Sequence, residues 1–168
     1  MPFPGRLLSA SSLTNKSISL SGKRRIPEGE ISNIMKNNYV HHLCIQTNSY
    51  LETIRFYTKA LGFEIVQESP NFHGREFNTW LKLGSFYIEL QTGKQNEILA
   101  QVNSNSEGVV HFCILVENLE LEVEQLQKVN VTFIKKNDEI IYQVENGYLC
   151  KLIAPEGTII ELRNNQGI

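Results

Sequence analysis

No apolar run in these 168 residues approaches the roughly 20 that a bilayer-spanning helix needs. Cysteine is scarce. Cys44, Cys113 and Cys150 are odd in number and form no C-x-x-C pair, which argues against a secreted disulfide framework and fits a reducing cytosol. An excess of positive charge is also missing: the net charge is −2 and the pI about 6.1, so there is no basic footprint for nucleic acid. Acids are absent from Met1 to Ile26, which carries Arg6, Lys16, Lys23, Arg24 and Arg25 among scattered serines.

That basic leader has the composition of an organelle transit peptide, but it has no strong arginine-spaced amphipathic helix and no apolar core of secretory type. The periodic pattern begins only at Tyr39. Residues 1–38 are therefore read as an N-terminal extension, with Met35 as the favoured native start and a targeting segment as the alternative. The composition of the whole chain, 41% hydrophobic and 20% charged, is that of a globular protein rather than a disordered one. A soluble, cytoplasmic domain is the expectation, with no membrane partner.

Two short strings return in the same order. His42-Leu-Cys-Ile45 matches His111-Phe-Cys-Ile114, and Tyr87-Ile-Glu-Leu90 matches Ile159-Ile-Glu-Leu162, with nearly equal His-to-Glu spacing. The segments between them agree in type. In the first half, a strand over 39–47 precedes a helix with a Ser49/Glu52 capping box. Leu51, Ile54, Tyr57 and Leu61 face inward, and Gly62 is the left-handed stop. Strands over 63–68, 75–83 and 86–92 follow, with a loop over 70–74 and a turn at Gly84-Ser85. In the second half, a strand over 111–116 leads to Asn118 as N-cap, with Leu119, Val123 and Leu126 inward. Strands over 131–135, 140–144, 148–153 and 158–163 follow, and Asn146-Gly147 is the hairpin signal. The fold class is α+β, as two β-α-β-β-β modules, about 39–92 and 109–165, joined by a polar linker over 93–108.

Strand alternation puts Tyr87, Glu89 and Gln91 on one face and Phe86, Ile88 and Leu90 on the other, so Glu89 is an acid in a strongly apolar strand. Glu161 repeats that setting, and His42 and His111 open the first strand of each half. If the halves pair as near-twofold copies, the four side chains converge. A buried carboxylate pair then needs a cation, because desolvating two anions together is costly. Two imidazoles and two carboxylates suit one divalent Zn, Ni, Fe or Mn ion. The bland alternatives are concrete: Glu161 could pair with Arg163, Cys44 and Cys113 could be small core residues, and Phe77, Trp80 and Tyr87 could be core. His41 is expected on the opposite face from His42, and His73 in a solvated loop.

The strings His42-Leu-Cys-Ile45, Ile54-Arg-Phe-Tyr-Thr-Lys-Ala-Leu-Gly-Phe63 and Ala154-Pro-Glu-Gly-Thr-Ile-Ile-Glu161-Leu resemble the vicinal oxygen chelate superfamily, and within it glyoxalase I-like members. The resemblance spans about 39–164. It implies two paired modules curled around a metal cleft, with His42, Glu89, His111 and Glu161 as metal ligands. It also implies a lyase or isomerase of glyoxalase I type acting on a small-molecule substrate chelated through vicinal oxygens. Glu161 would be the base and Glu89 its partner, and the cleft would lie within one chain or between the chains of a homodimer. Gln46 and Gly93 stand where glyoxalase I commonly has an arginine and an asparagine, so glutathione as the thiol does not follow. Within the same fold the alternatives are an extradiol dioxygenase, a fosfomycin-type thiol transferase, or a metal-free binding or resistance module.

Overall fold

The structure is a computed structural model that describes residues 38–95, 97–100, 105 and 107–165. The basic leader lies outside the described residues. Contacts divide the chain into Met1–Tyr39 and Val40–Ile168, and every described strand and helix belongs to the second unit. Among the described residues no helix is long and apolar enough to cross a membrane.

The first half runs β1 (His42–Thr47), α1 (Tyr50–Arg55), a π-helical turn (Phe56–Ala60), β2 (Glu64–Phe72), β3 (Arg75–Leu83) and β4 (Phe86–Thr92). The second runs β5 (His111–Leu115), α2 (Leu119–Lys128), β6 (Thr132–Ile134), β7 (Tyr142–Val144), β8 (Gly147–Ile153) and β9 (Ile159–Arg163). The strands form two sheets, β1-β4-β3-β2 and β5-β9-β8-β6, with β7 pairing the other end of β8. The repeat read from the sequence is thus a repeat of topology. In each half the first strand lies parallel to the last, and every other pairing is antiparallel. The strand equivalent to β2 is broken in the second half, where β6 and β7 share one side of β8.

Each sheet buries one face. Ile88, Leu90 and Leu81 of the first sheet and Leu152, Ile160 and Leu162 of the second belong to one core cluster with Tyr57, Leu119 and Leu126 from the helical segments. Burying each such large apolar side chain contributes about 1.5–3 kcal/mol before the cost of ordering it. The halves therefore share a core. The Tyr57 hydroxyl joins them too, donating to Glu156 Oε1 in the Pro155–Gly157 turn at 2.8 Å.

Several local expectations are corrected. Ser49 makes no side-chain cap; instead Thr47 Oγ1 accepts its backbone N–H at 2.9 Å and bonds the Thr53 hydroxyl. Tyr50, Thr53 and Tyr57 form the buried stripe, while Leu51 is 78% exposed. The π turn adds a residue, with the Leu61 N–H reaching back to Phe56 O, before Gly62 closes the segment at φ +73°. β2 continues through Pro70, which an edge strand tolerates because no ladder partner needs the missing N–H on its outer side. The β7–β8 turn is Glu145-Asn146, and Gly147 already belongs to β8. A Cβ on Gly147 would lie 2.1 Å from the Asn165 side chain, so its glycine serves a close approach rather than the turn. Asn118 does cap α2, accepting from Leu121 N at 2.9 Å.

Candidate functional site

The uncovered face of the first sheet carries His42, Cys44 and Gln46 from β1 and Tyr87, Glu89 and Gln91 from β4, with Cys44 in register with Glu89. β3 adds Asn78 and Trp80, the latter in register with Glu89. His42 Nε2 lies 3.6 Å from Glu89 Oε2, and the other carboxylate oxygen accepts from the Asn78 amide at 3.0 Å. Trp80 meets the His42 ring edge-on, with centroids 4.9 Å apart.

His41 is a correction. It lies outside β1 and so escapes strand alternation: its ring stacks on Tyr87, and its Nδ1 is 3.0 Å from that of His42. Phe77, on the covered face, stacks on Tyr50 of α1 as a core residue would, whereas Trp80 and Tyr87 lie on the uncovered face. His73 is exposed in the β2–β3 turn, as expected.

The second sheet repeats the arrangement with different neighbours. His111 Nε2 lies 3.4 Å from Glu161 Oε2, and Glu161 is nearly buried. Lys151, in the register position that Trp80 fills in the first half, approaches the same Oε2 at 3.5 Å. Arg163 Nη1 stands 3.8 Å from Oε1. The arginine pairing open from sequence is thus present, beside the histidine rather than in place of it. Cys44 and Cys113 are exposed on these faces, not core residues. Partial burial, and then the neighbouring Glu89 or Glu161 charge, pushes each thiol up to about 11. Asn78, His41 and Lys151 do not stand out from sequence. A polar residue two positions before Trp80 on the same strand face is the available signal for Asn78.

The structure therefore joins His42 to Glu89 and His111 to Glu161. It does not join the two pairs within one chain: among the described residues no three His, Cys, Asp or Glu side chains group as a metal site. The donor chemistry still fits a divalent ion. Nitrogen-to-oxygen separations of 3.4 and 3.6 Å suit two ligands that each lie about 2.0–2.2 Å from a shared ion. Among the described residues His111 Nδ1 is buried without a hydrogen-bond partner, so the orienting second contact that metal-bound histidines commonly have is not supplied by them.

The family model described as Glyoxalase/Bleomycin resistance protein/Dioxygenase superfamily matches residues 39–144, a span that includes His42, Glu89 and His111 and ends before Glu161. No curated protein matches the chain. Among solved structures, a glyoxalase family protein from Enterococcus faecalis is 23% identical with a TM-score of 0.65, covering 77% of this chain and 100% of its own. The trypanothione-dependent glyoxalase I of Leishmania major is 22% identical with a TM-score of 0.59, covering 76% of this chain and 87% of its own. The antibiotic binding protein TnmS3 from Streptomyces sp. CB03234 is 14% identical with a TM-score of 0.56, covering 77% and 97%. At these identities the likeness is one of fold.

Proposed function

Because this chain belongs to the Glyoxalase/Bleomycin resistance protein/Dioxygenase superfamily, we propose that it is a metal-dependent lyase or isomerase of glyoxalase I type, acting in a reducing, cytoplasmic setting on a small molecule with vicinal oxygens. The observation that carries this reading is the twice-built His–Glu pair, His42/Glu89 and His111/Glu161. The half-sites are complete in chemistry and incomplete in number, so we assign the full four-ligand set to a homodimer in which the first half of one chain meets the second half of its partner.

A divalent ion held there would polarise the substrate's two oxygens and acidify the C–H beside them. The chain's own residues supply the rest. Glu161 takes the proton from one carbon and returns it to the neighbour, and Glu89, held by the Asn78 amide, is its partner. Trp80, Tyr87 and His41 wall the first half-site and limit water. An extradiol dioxygenase is disfavoured, because a facial triad leaves the position of Glu89 unligated. A metal-free binding module is the second reading, and the Lys151 and Arg163 contacts to Glu161 favour it.

Metal analysis of protein purified without added metal separates the two. About one divalent ion per chain is expected, and metal-free protein that binds no added ion would overturn the enzyme reading. With metal present, methylglyoxal turnover tested with several thiols is expected. Glu161→Gln should then reduce kcat by at least about 100-fold while the circular dichroism spectrum is kept. Activity like that of the unaltered chain in that variant would remove Glu161 from its role.

A further inference from the structure

The two half-sites share ligands and topology but differ in charge. In the first, Glu89 Oε1 takes a neutral amide N–H, and Oε2 has His42 as its only basic neighbour within 4 Å among the described residues. In the second, two permanent cations crowd one carboxylate. Lys151 Nζ stands 3.5 Å from Oε2, the oxygen nearest His111 Nε2, and Arg163 reaches Oε1. Two positions make the difference: β3 presents Trp80 opposite Glu89 while β8 presents Lys151 opposite Glu161, and β9 carries Arg163 where β4 carries Gln91.

We infer that Lys151 is the resident counter-ion of Glu161 and gates the loading of the second half-site with a divalent cation. This rests on the metal reading and adds its regulation. The Glu161 side chain is 7% exposed, and a carboxylate so placed without a positive neighbour is strongly destabilising. Lys151, together with Arg163, offsets that cost before any ion arrives, which lets the half-site persist in the empty protein. A divalent ion held by His111 and Glu161 would compete with Lys151 for the same carboxylate, so loading would require the ammonium to withdraw. At 26% exposure, on a flexible four-carbon stem, it has room to do so. The first half-site carries no such competitor among the described residues. His42 and Glu89 would therefore hold a divalent ion without displacing a cation, whereas His111 and Glu161 would hold it only with Lys151 withdrawn.

The test is Zn2+ affinity of the full-length, metal-stripped protein, read by competition with a chromophoric chelator in the unaltered chain, Lys151→Met, Glu161→Gln and the double variant. Lys151→Met should bind Zn2+ at least about tenfold more tightly. In the Glu161→Gln background the same change should move affinity less than about twofold, because no contested oxygen remains. Equal or weaker binding by Lys151→Met overturns the inference while leaving the metal reading intact. Tightening that persists without Glu161 also overturns it, since net charge would then suffice. Zn2+ binding by neither the unaltered chain nor Lys151→Met removes the metal reading and the inference together. Lys151→Gln, checked by thermal unfolding, serves the same comparison if the methionine variant does not fold.

Discussion

At the scale of single residues, Glu156 shows how burial and donors divide a carboxyl. One oxygen accepts the Tyr57 hydroxyl, and the other is buried without a hydrogen-bond partner among the described residues. Burial pushes its pKa up, and its own backbone N–H together with the nearby hydroxyls of Thr158, Tyr57 and Thr53 pull it partly back. A group whose pKa is raised by folding binds protons more readily folded than unfolded. Its contribution is present at low pH and lost as pH rises through the folded value. Glu156→Gln, neutral throughout, should therefore gain stability relative to the unaltered chain as pH rises from about 4 to about 8, measured by urea unfolding across that range. A gap that stays flat with pH would show that Glu156 titrates alike in both states. Tyr57→Phe removes a donor from the same carboxyl and should cost about 1–3 kcal/mol. The site was legible at this scale only in part. The acids and histidines stood out because an ionisable residue in an apolar strand is conspicuous. Lys151 did not, because its meaning lies in a cross-strand register that alternation within β8 does not reveal.

Among elements, strands were easier to read than caps. β3 and β4 were expected at the bounds observed, since each alternates cleanly and Gly84 marks the turn. α2 followed its apolar spacing, with Leu119, Val123 and Leu126 buried. α1 did not, because Tyr50 and Thr53 are polar enough to look solvent-facing, yet each buries its hydroxyl in a side-chain hydrogen bond. Tyr50 bonds Glu68 and Thr79, and Thr53 bonds Thr47. The contrast between the two helix starts gives an element-scale prediction. Asn118→Ala should cost about 1 kcal/mol, whereas Ser49→Ala should cost less than half as much, because its side chain caps nothing. Denaturant midpoints at unchanged slope would check both. Equal losses would mean that Ser49 carries a capping role after all.

For the whole molecule, the repeat made the architecture readable and left the partner choice open. Two similar half-sites can close on each other within a chain or across a dimer, and spacing alone favours neither. Within the described residues of one chain the pairs do not meet, and this leads to a complementation test. His42→Ala and His111→Ala chains should each lose metal alone. Mixed in equal amounts and refolded together, they should regain about a quarter of the sites, since half the dimers are mixed and each mixed dimer rebuilds one intact set. No recovery would place the full set within a single chain.

β1 and β5 each have a sheet neighbour on one side only among the described residues, and the exposed Val109 and Val110 lead directly into β5. Together with the outer sides of β2, β6 and β7, these edges offer unsatisfied main-chain ladders, among the described residues, to any extended peptide that drifts past. Were the proposed dimer to cover these edges, dilution that separates its chains should make the protein more prone to strand addition, read as turbidity on warming.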